Sequence, residues 1–408
     1  MSFSIANTGL SAVTEQLNTI SNNIANSGTK GFKSGRTEFA SMYAQSQPLG
    51  VAVSGVSQSI NKSGSLDKTG INTDLAIAGS GFFVVKDSSG DTAYTRAGMF
   101  STDNNGNLLS SSGMKLQGYP ADAAGNLQTG VITDLQINNA GLAAKATGKI
   151  ALAANLQASA TVVPTATAFD PAKKDSYNFM EQTTVYDSLG NKHPLVHYFI
   201  KQASTPAASN WEVNYVLDGA KLTTKHDLTF DTSGKLTNTT PLAPLAPLAP
   251  LTGKFGQSGV ADYSIAVDYT GTTQFDGAFA TATKKSDGYT AGIKNGERIE
   301  GDGSVYATFS NGERMLQGKL VLANFANPNG LATKNGTTWS ETGKSGAALL
   351  GAPGSGLLGN IETGALEASN VDLTAELVGL MTAQRNYQAN TKIISTNDSM
   401  MNALFQVL

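Results

Sequence analysis

Residues 3–24 read FSIANTGLSAVTEQLNTISNNI, and the spacing of their apolar side chains decides the first element. Phe3, Ala6, Leu10, Val13, Leu17, Ile20 and Ile24 follow one another at intervals of three and four without a break. That is the a/d spacing of a heptad, which keeps one stripe of a helix apolar along its whole length. Asn7, Glu15, Gln16, Asn18, Asn22 and Asn23 fill positions between. A single helix here is roughly 35 Å long at about 1.5 Å per residue. Asn26, Ser27 and Gly28 end it.

The other end of the chain carries the same period. Leu373, Leu377, Leu380, Gln384, Tyr387, Thr391, Ile394, Asp398, Met401, Phe405 and Leu408 alternate by four and three, and only Gln384, Thr391 and Asp398 are polar. Asp372 is placed to cap this helix, because its carboxylate can accept from the free first-turn amides. The predicted helix is about 54 Å long. Neither helix can bury its stripe alone, and a helix in water draws most of its stability from packing that stripe. Two arrangements satisfy this. The helices pair as a coiled coil that brings the termini together and turns the surplus of the longer one towards other subunits, or they form an ordinary helical hairpin on a β-domain.

Between the helices the pattern is that of short strands. The turn Asp-x-x-Gly recurs at 87–90, 103–106, 122–125, 187–190 and 231–234. Asp can bond the backbone ahead of it, and Gly supplies the positive φ such turns need. Asn-Gly pairs at 295–296, 311–312 and 335–336 are further hairpin signals. Trp211, Val213 and Tyr215 share one face of a strand, with Glu212 and Asn214 on the other. Residues 241–250, PLAPLAPLAP, favour polyproline II as a semi-rigid connector or packed loop. The fold class expected is mixed and mainly β, with helical ends.

Composition narrows the function. With 28 basic and 31 acidic residues there is no cationic surplus to neutralise phosphates, so nucleic acid is not an expected partner. There are no cysteines, hence no disulfide frame and no thiol chemistry, a composition that suits a chain crossing compartments. The N-terminus lacks the basic and apolar regions of a cleaved secretory signal, and no run of about 18 apolar residues could span a membrane. From these features alone the chain reads as cytoplasmic. Catalytic patterns are missing too. His193 and His197 flank Pro194 in a strand-like run, where positions four apart lie about 13 Å from each other, too far to share a metal. The run 103–107, DNNGN, has Leu108 and Met114 where a calcium loop wants Gly and Glu. Gly79 and Gly81 lack a third glycine and a following helix. No catalytic residue, cofactor site or metal site is expected.

Several stretches resemble a known family. The run from Asn22, NNIANSGTKGFKSG, with Asn22, Asn23, Asn26, Thr29, Gly31, Phe32 and Lys33, resembles the N-terminal signature of the axial proteins of the bacterial flagellum, the basal body rod and hook family. The run from Gly364, GALEASNVDLTAELVGLMTAQRNYQANTKIISTNDSMMNAL, with Asn370, Asp372, Gln384, Arg385, Asn386 and Tyr387, is similar to the matching C-terminal signature. DLAIAGSGFFVV from Asp74, YTRAGMFSTDNNGNLL from Tyr94 and LQGYPAD from Leu116 look like segments shared by rod and hook proteins. VYDSLGNKHPLVHYFIK from Val185 and LVLANFANPNGLA from Leu320 resemble hook proteins in particular. A distal rod subunit is the near rival, opposed by length. A surface adhesin is the distant one, and two tryptophans give its aromatic site little support.

The resemblance implies a structural subunit that polymerises into a curved tube and transmits torque as a universal joint. It implies nested layers: a helical core of 1–27 with 368–408, a connecting segment of 28–70 with 355–367, an inner β-domain of 71–148 with 288–354, and an outer β-domain of 149–287. It implies export through the flagellar type III apparatus without a cleaved signal, to an extracellular place in the hook. The implied partners are the chain itself, the distal rod protein, the hook cap and the hook–filament junction protein. The implied polymer contacts are the stripe residues Phe3, Leu10, Val13, Leu17, Ile20, Ile24, Leu373, Leu377, Leu380, Tyr387, Ile394, Met401 and Phe405. The segment from Lys30 to Gly70 is expected to be a compliant connector.

Overall fold

A computed structural model describes residues 2–407 except 45, 46, 165, 238–250, 256–258 and 336. The Pro-Leu-Ala repeat at 241–250 and the Asn-Gly pair at 335–336 therefore lie outside the described residues, the latter in part. The chain divides into two compact units, one of 1–139, 295–308 and 314–408, the other of 140–294 and 309–313.

In the first unit, helix α1 (Ser2–Ala25) and helix α2 (Leu373–Val407) stand where the heptads predicted them. Asp372 caps α2, its Oδ1 accepting from the amides of Thr374 at 3.0 Å and Ala375 at 3.1 Å. Among the described residues, neither helix is long and apolar enough to cross a membrane. The expected connector is instead largely an antiparallel hairpin, strand β1 (Gly35–Ala44) with strand β2 (Gln47–Gln58), and α1 packs on it. Small side chains make that ribbon possible, because Gly and Ala alternate with Phe39, Val51, Val53 and Val56 and let the helix lie close. The outgoing and returning chain then pair twice: Leu66–Lys68 with Ala365–Glu367, and Leu75–Ala78 with Asn360–Thr363, both antiparallel. Beyond these ribbons lies a larger sheet whose main path begins at Lys294–Ile299 and runs through Phe82–Lys86 to Ala332–Asn335. Phe82, Val84, Tyr94, Val321, Phe325 and Trp339 form a buried core there.

The second unit is a pair of four-stranded sheets. Phe179–Tyr186, Lys192–Lys201, Ser209–Leu217 and Ala220–Phe230 form an antiparallel meander. Leu251–Gly253, Tyr263–Asp268, Lys149–Asn155 and Ala280–Ser286 form the other sheet. Trp211, Val213 and Tyr215 are fully buried on one face, as their alternation predicts, and share a core with Leu152, Phe199, Phe230 and Ile265. His197 and His226 also point into that core. His197 Nδ1 lies 2.8 Å from Tyr269 Oη, which is 3.0 Å from Tyr215 Oη, and His226 Nδ1 is 2.6 Å from the same Tyr215 oxygen. His193 stacks on Phe255 of the same core, ring centroids 4.2 Å apart, with its Nδ1 2.6 Å from Asp218 Oδ2.

All five Asp-x-x-Gly segments are turns. In each, the glycine amide donates to the aspartate carbonyl and the glycine has positive φ, from +77° at Gly234 to +94° at Gly90. The aspartate Oδ1 accepts from the chain ahead, as at Asn105 and Asn107 for Asp103. Asn311-Gly312 is a turn as well, with Gly312 at φ +85°. Asn295-Gly296 is not. It lies inside the strand Lys294–Ile299, where Asn295 Oδ1 accepts from Thr308 Oγ1 at 2.9 Å. A cross-strand partner there outweighs the local turn preference.

Candidate functional site

The two chain ends are built against each other. Asn23, in the last turn of α1, holds three groups. Its Nδ2 donates to the Gly35 carbonyl at 2.8 Å and to Glu376 Oε1 at 2.9 Å, and its Oδ1 accepts from the Gly35 amide at 2.8 Å. It thereby ties α1 to β1 and to α2. Thr37 Oγ1 adds a bond to Thr19 Oγ1 at 2.9 Å. Asn26 Nδ2 donates back to Asn22 Oδ1, and Thr29 Oγ1 donates to Asn26 Oδ1, which closes the end of the helix. Gly31 follows at φ +71°, and a Cβ there would lie 2.5 Å from the Ala97 amide nitrogen, so the tight approach admits only glycine. Phe32 is buried behind it.

Lys33 comes next, with its side chain fully buried. Its Nζ lies 2.6 Å from Glu367 Oε1 and donates to the Lys62 carbonyl at 2.8 Å. Glu367 Oε2 receives Arg96 Nη1 at 3.0 Å, and Arg96 Nη2 donates to the Gly79 carbonyl at 2.7 Å. Burial, outweighing the nearby Glu367 carboxylate, holds both the Lys33 amine and the Arg96 guanidinium below their ordinary values. Asn370 finishes the junction, its Oδ1 taking the Ser34 amide at 2.7 Å and its Nδ2 donating to the Ser59 and Lys62 carbonyls. Arg96 and Glu367 were not singled out from the sequence. The usable signal is a charged residue between small or apolar neighbours, Thr95 and Ala97 in one case, Leu366 and Ala368 in the other.

The helices pack antiparallel, and only partly along the apolar heptad, which contributes Ile20 and the buried Ala6. Asn23 meets Glu376, Ile20 Cδ1 sits 3.5 Å from where a Gly379 Cβ would be, and Asn390 Oδ1 sits 3.0 Å from where a Gly9 Cβ would be. The residue numbers in each of these pairs add to 399. Ala383 is buried in α2, and Ala6, Ala12 and Ile20 in α1. Small residues thus form the intrachain seam, because they let two helix axes approach closely. The expected meeting of the two stripes within the chain thus holds for Ile20 and not for Leu373 and Leu377, which are exposed. Leu373, Leu377, Tyr387 and Met401 are exposed, while Leu10, Val13, Leu17, Ile24, Leu380 and Ile394 are half-buried. The side chains of Phe3 and Phe405 lie outside the described ones. A hollow of about 370 Å³ opens among α1, α2 and the hairpin, lined by Val13, Phe39, Val51, Asn386 and Asn390 among others.

Comparison with known proteins fits this architecture. Family models match successive parts of the chain: flagella basal body rod protein over 3–33, the flagellar hook protein FlgE/F/G D1 domain over 76–157, the flagellar basal body protein FlaE D2 domain over 155–289, and the flagellar basal body rod FlgEFG protein C-terminal region over 362–407. The flagellar hook protein FlgE of Escherichia coli (strain K12) is 40% identical over 411 residues, covering 99% of each chain. That of Salmonella typhimurium is 40% identical over 407 residues, again covering 99% of each. The chain belongs to the flagellar hook protein family. The hook protein of Rhizobium meliloti is more distant, 33% identical with 97% of this chain and 96% of that one covered. The crystal structure of Helicobacter pylori flagellar hook protein FlgE2 shares the fold, with a TM-score of 0.54 at 15% identity over 74% of this chain and 100% of that chain. The protein is a structural subunit of the flagellar hook and not an enzyme.

The hook-family signature residues divide into two groups by position. Asn23, Asn26, Thr29, Gly31, Phe32, Lys33, Asn370 and Asp372 build the junction and the helix ends. Asn22, Gln384, Arg385, Asn386 and Tyr387 are exposed on the helices. The first group explains itself within one chain. In the second, Asn22 accepts from Asn26 and Asn386 lines the hollow beside α1, while Gln384, Arg385 and Tyr387 are exposed.

Proposed function

We propose that hook subunits of this sequence assemble through the exposed apolar line of α2, with α1 beside it, and that the resulting tube bends as a universal joint while carrying torque. The observation behind this reading is the exposure of Leu373, Leu377, Val378, Met381, Ile393, Met400 and Met401 along one 35-residue helix. So much apolar surface on one element has no use in an isolated soluble chain and marks a contact surface. The pairing register sets Ser2 opposite residue 397, and the exposed Met400 and Met401 lie beyond that point on α2, where other copies can meet them.

In this reading the core is 1–27 with 368–408, joined through 28–70 with 355–367 to an inner β-domain of 71–148 with 288–354 and an outer one of 149–287. The subunit leaves the cell through the flagellar type III apparatus without a cleaved signal. It adds beneath a hook cap onto the distal rod protein, and is followed by the hook–filament junction protein. The low overall charge of the chain, 14% of residues, leaves outer β-domains able to slide past neighbours as the tube bends.

Electron microscopy of the purified, concentrated protein tests the assembly directly. Curved tubes support the reading, and straight rigid tubes point to a rod-like role. Removing residues 373–408 should leave a folded β-rich monomer that forms no polymer; normal polymers from that truncation would refute the reading.

A further inference from the structure

The stretch from Ser345 to Ile361, SGAALLGAPGSGLLGNI, carries no charged residue. Within it Leu349 is 62% exposed, Leu350 46% and Leu357 81%, the last being the highest value for a large apolar side chain among the described residues. The strand Leu349–Gly351 pairs with Leu322–Asn324 on one side, and among the described residues no strand pairs with its other side. A strand of 3 residues is too short to recruit a foreign strand, so this edge offers side chains and not a backbone template.

Leu357 is exposed on an ordered loop. The Gly354 amide donates to the Gly359 carbonyl at 3.0 Å, the Ser355 amide to the Ala352 carbonyl at 3.2 Å, and the Leu358 amide to the Ser355 carbonyl at 3.0 Å. Gly354 and Gly356 supply the positive φ of the turn, +73° and +59°. The body of the unit grips the loop on two sides. The Gly359 amide donates to the Ser80 carbonyl at 2.8 Å, and Pro353 Cγ lies 2.6 Å from where a Gly303 Cβ would be. The loop also folds back on the edge strand, since a Gly351 Cβ would lie 2.8 Å from Leu358 Cδ1 and 3.1 Å from Ser355 Oγ. The three exposed leucines therefore belong to one patch with a fixed backbone. A side chain presented in this way loses little entropy when it is covered, which is the property of an interface anchor.

We propose that Leu357, with Leu349 and Leu350 beside it, is a second assembly contact: an apolar anchor that enters an uncharged hollow on a neighbouring copy of this chain. The inference rests on the reading that copies assemble, and adds to the helix face a direct hold between β-bodies. A copy is the occupant because the family forms a polymer of its own subunits. The patch is also continuous with the contact line of α2. From it the chain runs through the ribbon strands Asn360–Thr363 and Ala365–Glu367 into α2, and on the opposing chain of those ribbons Ile71 and Leu66 are exposed as well. Exposed apolar side chains thus mark the whole route from the sheet edge to Leu373.

The chain has no cysteine, so Leu357→Cys places a single thiol at the anchor and Leu377→Cys a single thiol on the helix face. In polymers of full-length Leu357→Cys, a small maleimide should react at least about tenfold more slowly than in the monomer, because a covered thiol is closed to reagent. Equal rates would overturn the proposal, whatever Leu377→Cys shows. A slow thiol in Leu357→Cys beside a fast one in Leu377→Cys would sink the helix reading and leave this one standing. To identify the cover, Leu357→Cys carrying benzophenone maleimide is mixed as a minority into wild-type subunits, polymerised and irradiated. Covalent dimers on a denaturing gel support the anchor; a slow thiol without dimers refutes it, because the subunit's own chain then covers the site. Leu357→Ser should raise the critical concentration about tenfold or more and leave the monomer melt unchanged. An unchanged critical concentration would also overturn the proposal. If Leu357→Cys forms no polymer, Leu357→Met decides: polymers at the wild-type critical concentration support an apolar anchor, and their absence refutes it.

Discussion

Leu377 gives the sharpest test of the exposed helix face, because the structure separates its two roles. It sits one residue after Glu376, yet it is 47% exposed where Ala383 on the seam is 1% exposed. Full burial of a leucine is worth about 1.5–3 kcal/mol, so a half-exposed one keeps about half of that, roughly 0.7–1.5 kcal/mol, to gain on assembly. Truncation to alanine forfeits this at every addition step. At about 1.4 kcal/mol per factor of ten, the critical concentration for polymerisation should rise by about 3- to 10-fold. Leu373→Ala with Leu377→Ala should multiply the two effects, giving roughly 10- to 100-fold, since neither residue has a large intrachain role to couple them. Leu377→Asp should be worse than either, because it asks an interface to accept a carboxylate. The monomer should melt within a few degrees of wild type in all three. The assay is sedimentation of polymer across a concentration series, beside a thermal melt of the dilute monomer. An unchanged critical concentration would refute the idea that this face is buried by other copies. A monomer melt lowered in step with assembly would show that Leu377 belongs to the intrachain fold after all.

Two further predictions concern the seam and the second unit. Ala383→Leu should push α1 and α2 apart and cost about 1–3 kcal/mol, read as a lower melting temperature of the first unit. Gly379→Ala should be neutral or stabilising by up to about 1 kcal/mol, because the added carbon meets Ile20 Cδ1 at an ordinary 3.5 Å and the helix loses a glycine. Acid should loosen the second unit. Burial, and then the nearby His226, push the His197 imidazole from its ordinary 6.5 down to about 3. The folded state therefore holds the neutral ring while the unfolded chain binds a proton, so stability is whole above pH 6.5 and drains as pH falls towards 3, on the order of 1.4 kcal/mol per pH unit. Burial alone would raise Asp187, but hydrogen bonds from Asn191, His193 and the Leu189 amide hold it at about 2, so its contribution is lost in the same direction, from about pH 4 down to 2. Melts between pH 7 and 3 should show the loss, and His197→Gln should flatten its upper part.

What could be read from residue order alone was whatever depends on near neighbours. The helices were legible because seven apolar positions repeat within 22 residues, and Asp372 because a cap acts on the next turn. The Asp-x-x-Gly turns were legible for the same reason, since donor and acceptor lie within four residues. The hairpin β1–β2 was not. Its glycines and small side chains look like a linker until α1 lies on top of them. Lys33 and Glu367 are 334 residues apart, and no local pattern reports that they touch. Separation in sequence also hides the row from His197 to His226, because Tyr269 lies 72 residues from His197 and 54 from Tyr215. Asn295-Gly296 failed in the opposite sense: a strong local preference gave way to a strand partner.

The helix seam shows how a correct period can still point to the wrong partner. The expected apolar line on α2 passes through 377, 380, 384, 387 and 391. The line that meets α1 passes through Glu376, Gly379, Ala383, Asn386 and Asn390. The two lines differ by one residue at every step, which turns them about 100° apart on a helix of 3.6 residues per turn. On α1, Gly9, Ala12, Gln16 and Asn23 stand one position before Leu10, Val13, Leu17 and Ile24 in the same way. Each helix thus carries two parallel stripes of identical period. On α2 one is made of small and polar residues and closes on the other end of its own chain, while the other leaves Leu377 and Tyr387 exposed and Leu380 half-buried. On α1 the separation is partial, since Ala6 and Ile20 of the heptad are buried and Ile20 faces Gly379. A monomer that buried its leucines internally would be more stable alone and would have nothing left with which to bind a neighbour. Spending small residues on the intrachain contact keeps the stronger hydrophobic gain for assembly, and the period alone could not say which stripe went where because both obey it.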